Sequence, residues 1–215
     1  MSCKQCAGIE LHFDQKYVAK EHQQYRDEGP TKETQLLIDA LVAEGVSEMT
    51  VLDIGGGVGV IQHELLKRGV SSCIDVEAST VYIEAAKKEA EHQGHADRIT
   101  HIHGDFVDLA AELPTCEIVT LDRVICCYHD VVGLVEKSAK LAKSMYGVIY
   151  PRDNLTTKIG GFFENMTYRI HRSQFRFFVH PTEVVEKILL DQGFDRRFYR
   201  EMGMWQIVVF RRVNS

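Results

Sequence analysis

The densest chemical signal in the chain is Val51-Leu52-Asp53-Ile54-Gly55-Gly56-Gly57-Val58-Gly59. An apolar run meets an acid, then a cluster of glycines, then the opening of a helical stretch. Glycines admit positive φ and let a ligand approach the backbone, and a helix start adds free N–H groups. Two spacings separate the possible ligands. A dinucleotide loop needs Gly-x-Gly-x-x-Gly, with the pyrophosphate on the helix N-terminus. From Gly55 its third glycine falls on Val60, and the frames from Gly56 and Gly57 fail as well. The frame that fits is Asp-x-Gly-x-Gly-x-Gly, through Asp53, Gly55, Gly57 and Gly59. A carboxylate ahead of the turn repels a phosphate and can hold an ammonium group, directly or through water. An NAD oxidoreductase is disfavoured on this ground.

Three further stretches follow in order. Cys73-Ile74-Asp75-Val76-Glu77 ends a second apolar run with acids, His103-Gly104-Asp105-Phe106 follows a third, and Thr120-Leu121-Asp122-Arg123-Val124-Ile125-Cys126-Cys127-Tyr128-His129-Asp130 ends a fourth. In this order, from Met49 to Tyr150, the motifs resemble the class I S-adenosylmethionine (SAM)-dependent methyltransferases. The resemblance implies SAM as cofactor and S-adenosylhomocysteine (SAH) as product. It puts the methionine part of SAM against Asp53, Gly55, Gly57 and Gly59. An acid at the end of the second strand accepts the ribose hydroxyls; Asp75 is the choice, with Glu77 as the register alternative. Asp105 bonds the adenine amine and Phe106 packs on the ring. Asp122, closing the fourth strand, joins the cofactor-binding set.

The acceptor side is less sharply drawn. The fourth-strand motif resembles that of small-molecule methyltransferases related to those acting on quinone and tetrapyrrole precursors. There is no Asx-Pro-Pro-aromatic run and no Pro-Cys dipeptide, so amide or exocyclic nitrogen and cytosine carbon are disfavoured as acceptors. Methyl transfer needs alignment and, for some acceptors, removal of a proton. His129 is the candidate base, because its ordinary pKa lies near neutrality, and Tyr128 bounds the pocket. A helix-start role for His129, and a local ion pair for Arg123 with Asp122, are the plainer readings. Asp122 with Asp153-Asn154 also matches the strand ends that hold the metal in Mg-dependent catechol-type O-methyltransferases, whose oxygen ligands suit Mg²⁺. Cys3-x-x-Cys6 is half a zinc site at most, so no metal centre is expected and a loose, reduced pair is the reading.

The segment Thr156 to His180 is expected to cover the pocket. It carries Phe162, Phe163, Tyr168, Phe175, Phe177 and Phe178, with Arg169, Arg172 and Arg176 among them. Arginine forks suit carboxylates, so Arg123, Arg172 and Arg176 are assigned to a hydrophobic acceptor with an acidic group. A core-packing helix with a basic outer face is the bland alternative. Peripheral membrane contact is a third reading, and it is not the expected one.

These motifs need a frame. Apolar runs at Met49 to Ile54, Ser72 to Val76, Ile99 to His103, Ile118 to Leu121 and Gly147 to Tyr150 read as buried strands. Helices read at Gly59 to Arg68, Ser79 to Gln93 and Val131 to Lys143. The alternation implies right-handed crossovers and a parallel sheet. Phe194 to Glu201 and Trp205 to Arg212 read as a hairpin around Met202-Gly203, after a helix opened by Pro181. The fold expected is α/β: a Rossmann-like, seven-stranded, mostly parallel sheet with one antiparallel edge strand and helices on both faces. One domain spans residues 1–215, with an N-terminal helical arm over 1–46 and a cap insertion over 153–180. Ile9 to Glu28 reads as one polar helix, and Thr31 caps the next.

Composition agrees with a globular protein. Of 215 residues, 45% are apolar and 26% charged, with only 4 prolines. The formal charge of −6 argues against a nucleic-acid partner. Residues 151–215 carry +4 and the remainder −10. Met1 to Ala7 shows no leader pattern, and several of the six cysteines fall in or beside apolar runs, so a cytoplasmic location is the expectation. The opposing function is a SAM-binding sensor or partner subunit without transferase activity.

Overall fold

A computed structural model describes residues 4–213, with side chains described from Gly8 onward. Cys3 lies outside the described residues, as does the side chain of Cys6. Nine α-helices are described: α1 Lys4–His12, α2 Gln15–Glu28, α3 Lys32–Ala43, α4 Val60–Leu66, α5 Thr80–His92, α6 Phe106–Leu109, α7 Val131–Leu141, α8 Leu155–Ile170 and α9 Thr182–Asp191. The strands are β1 Thr50–Ile54, β2 Ser72–Glu77, β3 Ile99–His103, β4 Cys116–Asp122, β5 Ala142–Pro151, β6 Phe194–Met202 and β7 Trp205–Arg212.

They form a seven-stranded sheet in the order β3-β2-β1-β4-β5-β7-β6. From β1 the chain winds outward to β3, then returns to lay β4 on the other side of β1. In such a sheet the carboxyl ends of the strands at this reversal open a crevice, and the glycine loop and the β4 motif both emerge there. β7 runs antiparallel to β5, and β6 antiparallel to β7. The hairpin forms the sheet edge as expected; the strand that opposes the others lies one place in from the margin.

Alternation along each strand divides the core in two. Leu52, Ile54, Val119 and Leu121 face α7 and α9, where Leu134, Val135, Val185 and Leu189 are fully or almost fully buried. Val51, Cys73, Ile118 and Met145 face the other way, against α3 and α4. Leu37, Ile38 and Leu41 of α3 have no exposed surface. That helix is thus a layer of the sandwich, and only α1 and α2 form an arm.

The arm is broken where one helix was expected. The Asp14 side chain accepts from Tyr17 N–H at 2.8 Å, an N-cap that starts α2 afresh and turns the chain at Phe13. α2 then packs along α5, where Glu89 accepts from Arg26 Nε at 2.7 Å and meets His22 Nε2 at 2.6 Å. α1 docks on the loop after α8. A Cβ on Gly8 would stand 2.9 Å from Phe175 N, so glycine alone allows this approach. That loop is pinned in turn: Phe178 N–H donates to Cys126 O at 2.7 Å, and the Asn165 amide bonds both backbone groups of Phe177. The arm and the 155–180 segment therefore meet over the crevice.

Candidate active site

The glycine loop rests on two buried carboxylates. Asp53 of β1 and Asp75 of β2 are register partners. Asp53 accepts from Thr120 Oγ1 at 2.7 Å and from Gln62 Nε2 at 3.1 Å. Burial pushes its pKa up to about 7. A Cβ on Gly56 would lie 2.6 Å from Asp75 Oδ1 and 2.8 Å from Asp53 Oδ2. The loop can close over the acids only because that atom is missing.

Asp75, chosen above for the ribose, does not reach the crevice. It has no exposed surface, and its Oδ2 pairs with His101 Nδ1 at 2.8 Å. The reason is depth along the strand. Glu77 stands on the same side of β2 but two residues, about 6.6 Å, nearer its carboxyl end. Glu77 lines the cavity. It accepts from Gly57 N–H at 3.2 Å and Ser79 N–H at 2.8 Å. Burial, reinforced by Asp75, pushes its pKa up to about 8.

The crevice is a cavity of about 340 Å³, running from this loop to the arm. Asp105 and Phe106 form one wall. Asp105 caps α6 by accepting from Val107 N–H at 2.9 Å. Tyr128 also lines the cavity, but its hydroxyl donates to Asp105, 3.0 Å from either oxygen. That hydroxyl thus holds the Asp105 carboxylate in place. His129 is exposed and absent from the cavity wall. The turn Ile125–Cys127 carries the chain past the crevice, and His129 stacks on Tyr128 just before Asp130 caps α7.

The arginines fall elsewhere than expected. Arg123 borders the cavity, but its guanidinium forks onto Asp122, at 2.8 Å and 3.2 Å, and reaches Thr34 Oγ1 at 3.3 Å. The plainer ion-pair reading holds, with Arg123 at φ +58° to make the turn. Arg176 donates to the carbonyls of Ser173 and Phe175, and Arg172 is exposed; neither lines the cavity. Asp122 lines the cavity while accepting from Thr34 Oγ1 at 2.6 Å. Asp153 pairs with Lys158 at 2.5 Å. Both carboxylates of the Mg-type pattern are thus engaged by cations, and the described residues contain no group of three or more His, Cys, Asp or Glu side chains suited to a metal.

The arm supplies a residue that sequence reasoning passed over. His12, at the end of α1, lines the cavity with Tyr17, Glu164, Tyr168 and Cys127. Its ring stacks on Phe175 at 4.1 Å and meets Tyr168 edge-on at 5.3 Å. Burial lowers its pKa, against the pull of Glu164 and Asp14, so the imidazole is neutral near pH 7.

The lining sorts the ligands. Six of its described residues are acids (Glu21, Asp53, Glu77, Asp105, Asp122 and Glu164), and Arg123, already forked onto Asp122, is its one Lys or Arg. Such a groove suits hydroxyl and amine donors and positive charge, and repels a pyrophosphate. SAM, with its ammonium, sulfonium, ribose and adenine amine, fits this donor set.

The comparisons agree. A family model described as a methyltransferase domain matches residues 51–151. Over 69 residues the chain is 35% identical to Protein arginine N-methyltransferase 1 of Saccharomyces cerevisiae, a match spanning 32% of this chain and 20% of that protein. The chain thus covers about a fifth of the length of that curated relative. The magnesium protoporphyrin IX methyltransferase of Synechocystis PCC 6803 with bound SAH superposes with a TM-score of 0.75 at 17% identity, over 97% of this chain and all of that one. An O-methyltransferase family 2 protein from Planctomyces limnophilus in complex with apigenin gives 0.60 at 14% identity, over 86% of this chain and 63% of that one. At such identities the likeness is one of fold. An acid-lined crevice at the reversal of this sheet joins these findings: residues 51–151 match a methyltransferase domain, in a chain with the fold of the class I SAM-dependent methyltransferases.

Proposed function

We propose that the chain methylates an apolar, aromatic small molecule held between the arm and the 155–180 segment, with His12 as the general base. The observation that carries this is the composition of the compartment beside the arm. His12, Phe13, Tyr17, Tyr168, Phe175 and Phe177 converge there on the same cavity as the glycine loop. Magnesium protoporphyrin IX, for which one neighbour is named, and apigenin, with which another is in complex, are in keeping with this class.

The cofactor end is assigned to Glu77 for the ribose, Asp105 with Phe106 for the adenine, and the backbone from Gly55 to Gly57 for the methionine part. Asp53 acts from beneath, as the buried charge that favours an ammonium above the loop. Bound SAM supplies an electrophilic methyl group for in-line displacement. The chain's own residues align the acceptor and manage its proton. A neutral His12 accepts the proton of an acceptor hydroxyl or amine as that atom takes the methyl group. The stacked Phe175 and edge-on Tyr168 hold the imidazole plane. Since Arg123 and Arg176 are engaged elsewhere and Arg172 stands outside the cavity wall, the acidic group once expected of the acceptor loses its support.

The test is SAH formation from SAM with a panel of phenolic, flavonoid, quinol and porphyrin acceptors. One class is expected to accelerate SAH release. With it, His12→Ala should lower turnover on the order of 10²–10⁴-fold and leave SAH affinity within about threefold. Unchanged turnover in that variant would remove the base from His12.

A further inference from the structure

α8 has two faces, and only one is accounted for. On the inner face Thr157 and Gly161 are buried, and Glu164 and Tyr168 line the cavity. On the outer face Leu155 (73% exposed), Ile159, Phe162, Phe163, Met166 and Ile170 (70%) lie open to solvent. At about 100° per residue these six fall within an arc of roughly 100°, a continuous stripe along a helix about 24 Å long. The patch amounts to several hundred Å², at or above the largest that a soluble monomer ordinarily leaves open.

The charges around it decide the occupant. Arg169 flanks one side of the stripe by the same helical arithmetic, beside Lys158, which is paired with Asp153, and Arg172 follows its end. Residues 153–180 carry four bases and two acids, in a chain of net −6, and one acid, Asp153, is engaged by Lys158. The other acid, Glu164, faces the cavity, where its carboxylate accepts from Tyr168 Oη at 2.6 Å. Pairing two copies across this face would bring like-charged flanks together. An anionic lipid surface meets both features, since hydrocarbon takes the stripe and phosphate headgroups take the cations. No described helix is long and apolar enough to cross a membrane, so the contact is parallel to the surface.

We propose that α8 is an interfacial anchor that holds this protein on anionic bilayers. The apolar stripe lies at the headgroup–acyl boundary, with Arg169 and Arg172 against headgroup phosphates. The acceptor compartment then opens beside the lipid surface. This stands independently of the acceptor assigned above, because it rests on exposure and charge alone.

The experiment is co-sedimentation of the full chain with phosphatidylcholine vesicles, with and without about 30% phosphatidylserine, at low and high salt. Binding is expected to be at least tenfold tighter with the anionic lipid and to weaken with salt. Phe162→Glu with Phe163→Glu should abolish it while leaving the circular dichroism melt unchanged. Arg169→Glu with Arg172→Glu should remove the preference for anionic lipid. No sedimentation with either vesicle overturns the proposal, as does wild-type binding by the Phe162/Phe163 variant. Size-exclusion light scattering gives the rival outcome: a wild-type dimer that the same variant turns into a monomer would make the stripe a subunit interface.

Discussion

Glu77 and Asp75 differ by two positions on one strand, and exchanging their charges one at a time separates a ligand-binding carboxylate from a supporting one. Glu77 Oε2 accepts from Gly57 N–H and Oε1 from Ser79 N–H. A carboxylate has about four acceptor positions, so two remain for the ribose hydroxyls. A hydrogen bond to a charged group contributes about 1.5–3 kcal/mol. Glu77→Gln removes the charge and one acceptor, a loss of about 2–4 kcal/mol, or roughly 30- to 1,000-fold in SAH affinity. Asp75→Asn leaves the crevice wall intact, and SAH affinity should stay within about threefold while the melting temperature falls. The pH dependence adds a second signature. Burial holds Glu77 protonated up to about pH 8, whereas hydroxyl donors prefer the carboxylate. Ligand binding must therefore expel a proton below that pH. SAH affinity should rise by up to about tenfold per pH unit from pH 6 and level off above 8. Without ligand the sign for stability is opposite: a folded pKa raised above the unfolded 4.5 gives stability that is full below 4.5 and lost as pH climbs through about 8. Isothermal titration in buffers of different ionisation enthalpy reads both the affinity and the proton. A wild-type profile flat from pH 6 to 8, or a larger loss in Asp75→Asn than in Glu77→Gln, would refute the assignment.

Other outcomes follow from the same contacts. Tyr128→Phe removes the donor that fixes Asp105 and should raise KM for SAM roughly tenfold with little change in kcat. Gly56→Ala would drive a methyl group to 2.3 Å from Gln62 Nε2; both the melting temperature and SAH binding should fall, and a variant that binds SAH normally would show that the loop lies higher than described. Activity should withstand EDTA and Asp153→Ala, since Asp153 serves Lys158; loss in both would restore the Mg-dependent reading.

Some of this was legible before any coordinates. The Asp53–Gly59 loop declares itself because its acid and glycines are contiguous, and local turn chemistry needs no tertiary context. The parallel sheet with its terminal hairpin follows from the alternation of strands and helices. Depth was not legible. Asp75 and Glu77 lie on one side of β2, and only the carboxyl end of the sheet tells which acid meets the crevice. His129 followed the right strand, but the short turn before it carries the side chain to solvent. His12 escaped notice because Ile9–Glu28 looks like one polar helix; the Asp14 cap that breaks it, and Gly8 against Phe175, are what swing the imidazole over the site. Phe162 and Phe163 were read as covering the pocket, yet both are exposed, because which face of α8 the body covers is a property of packing alone.

The most direct measurement is a calorimetric titration of the protein with SAH and, separately, with NAD. The account predicts one-to-one binding of SAH and none of NAD, because the crevice offers six acids and a single arginine already paired with Asp122. Binding of NAD with no heat from SAH would contradict it, and with it the reading of Asp53 through Gly59 as a SAM loop.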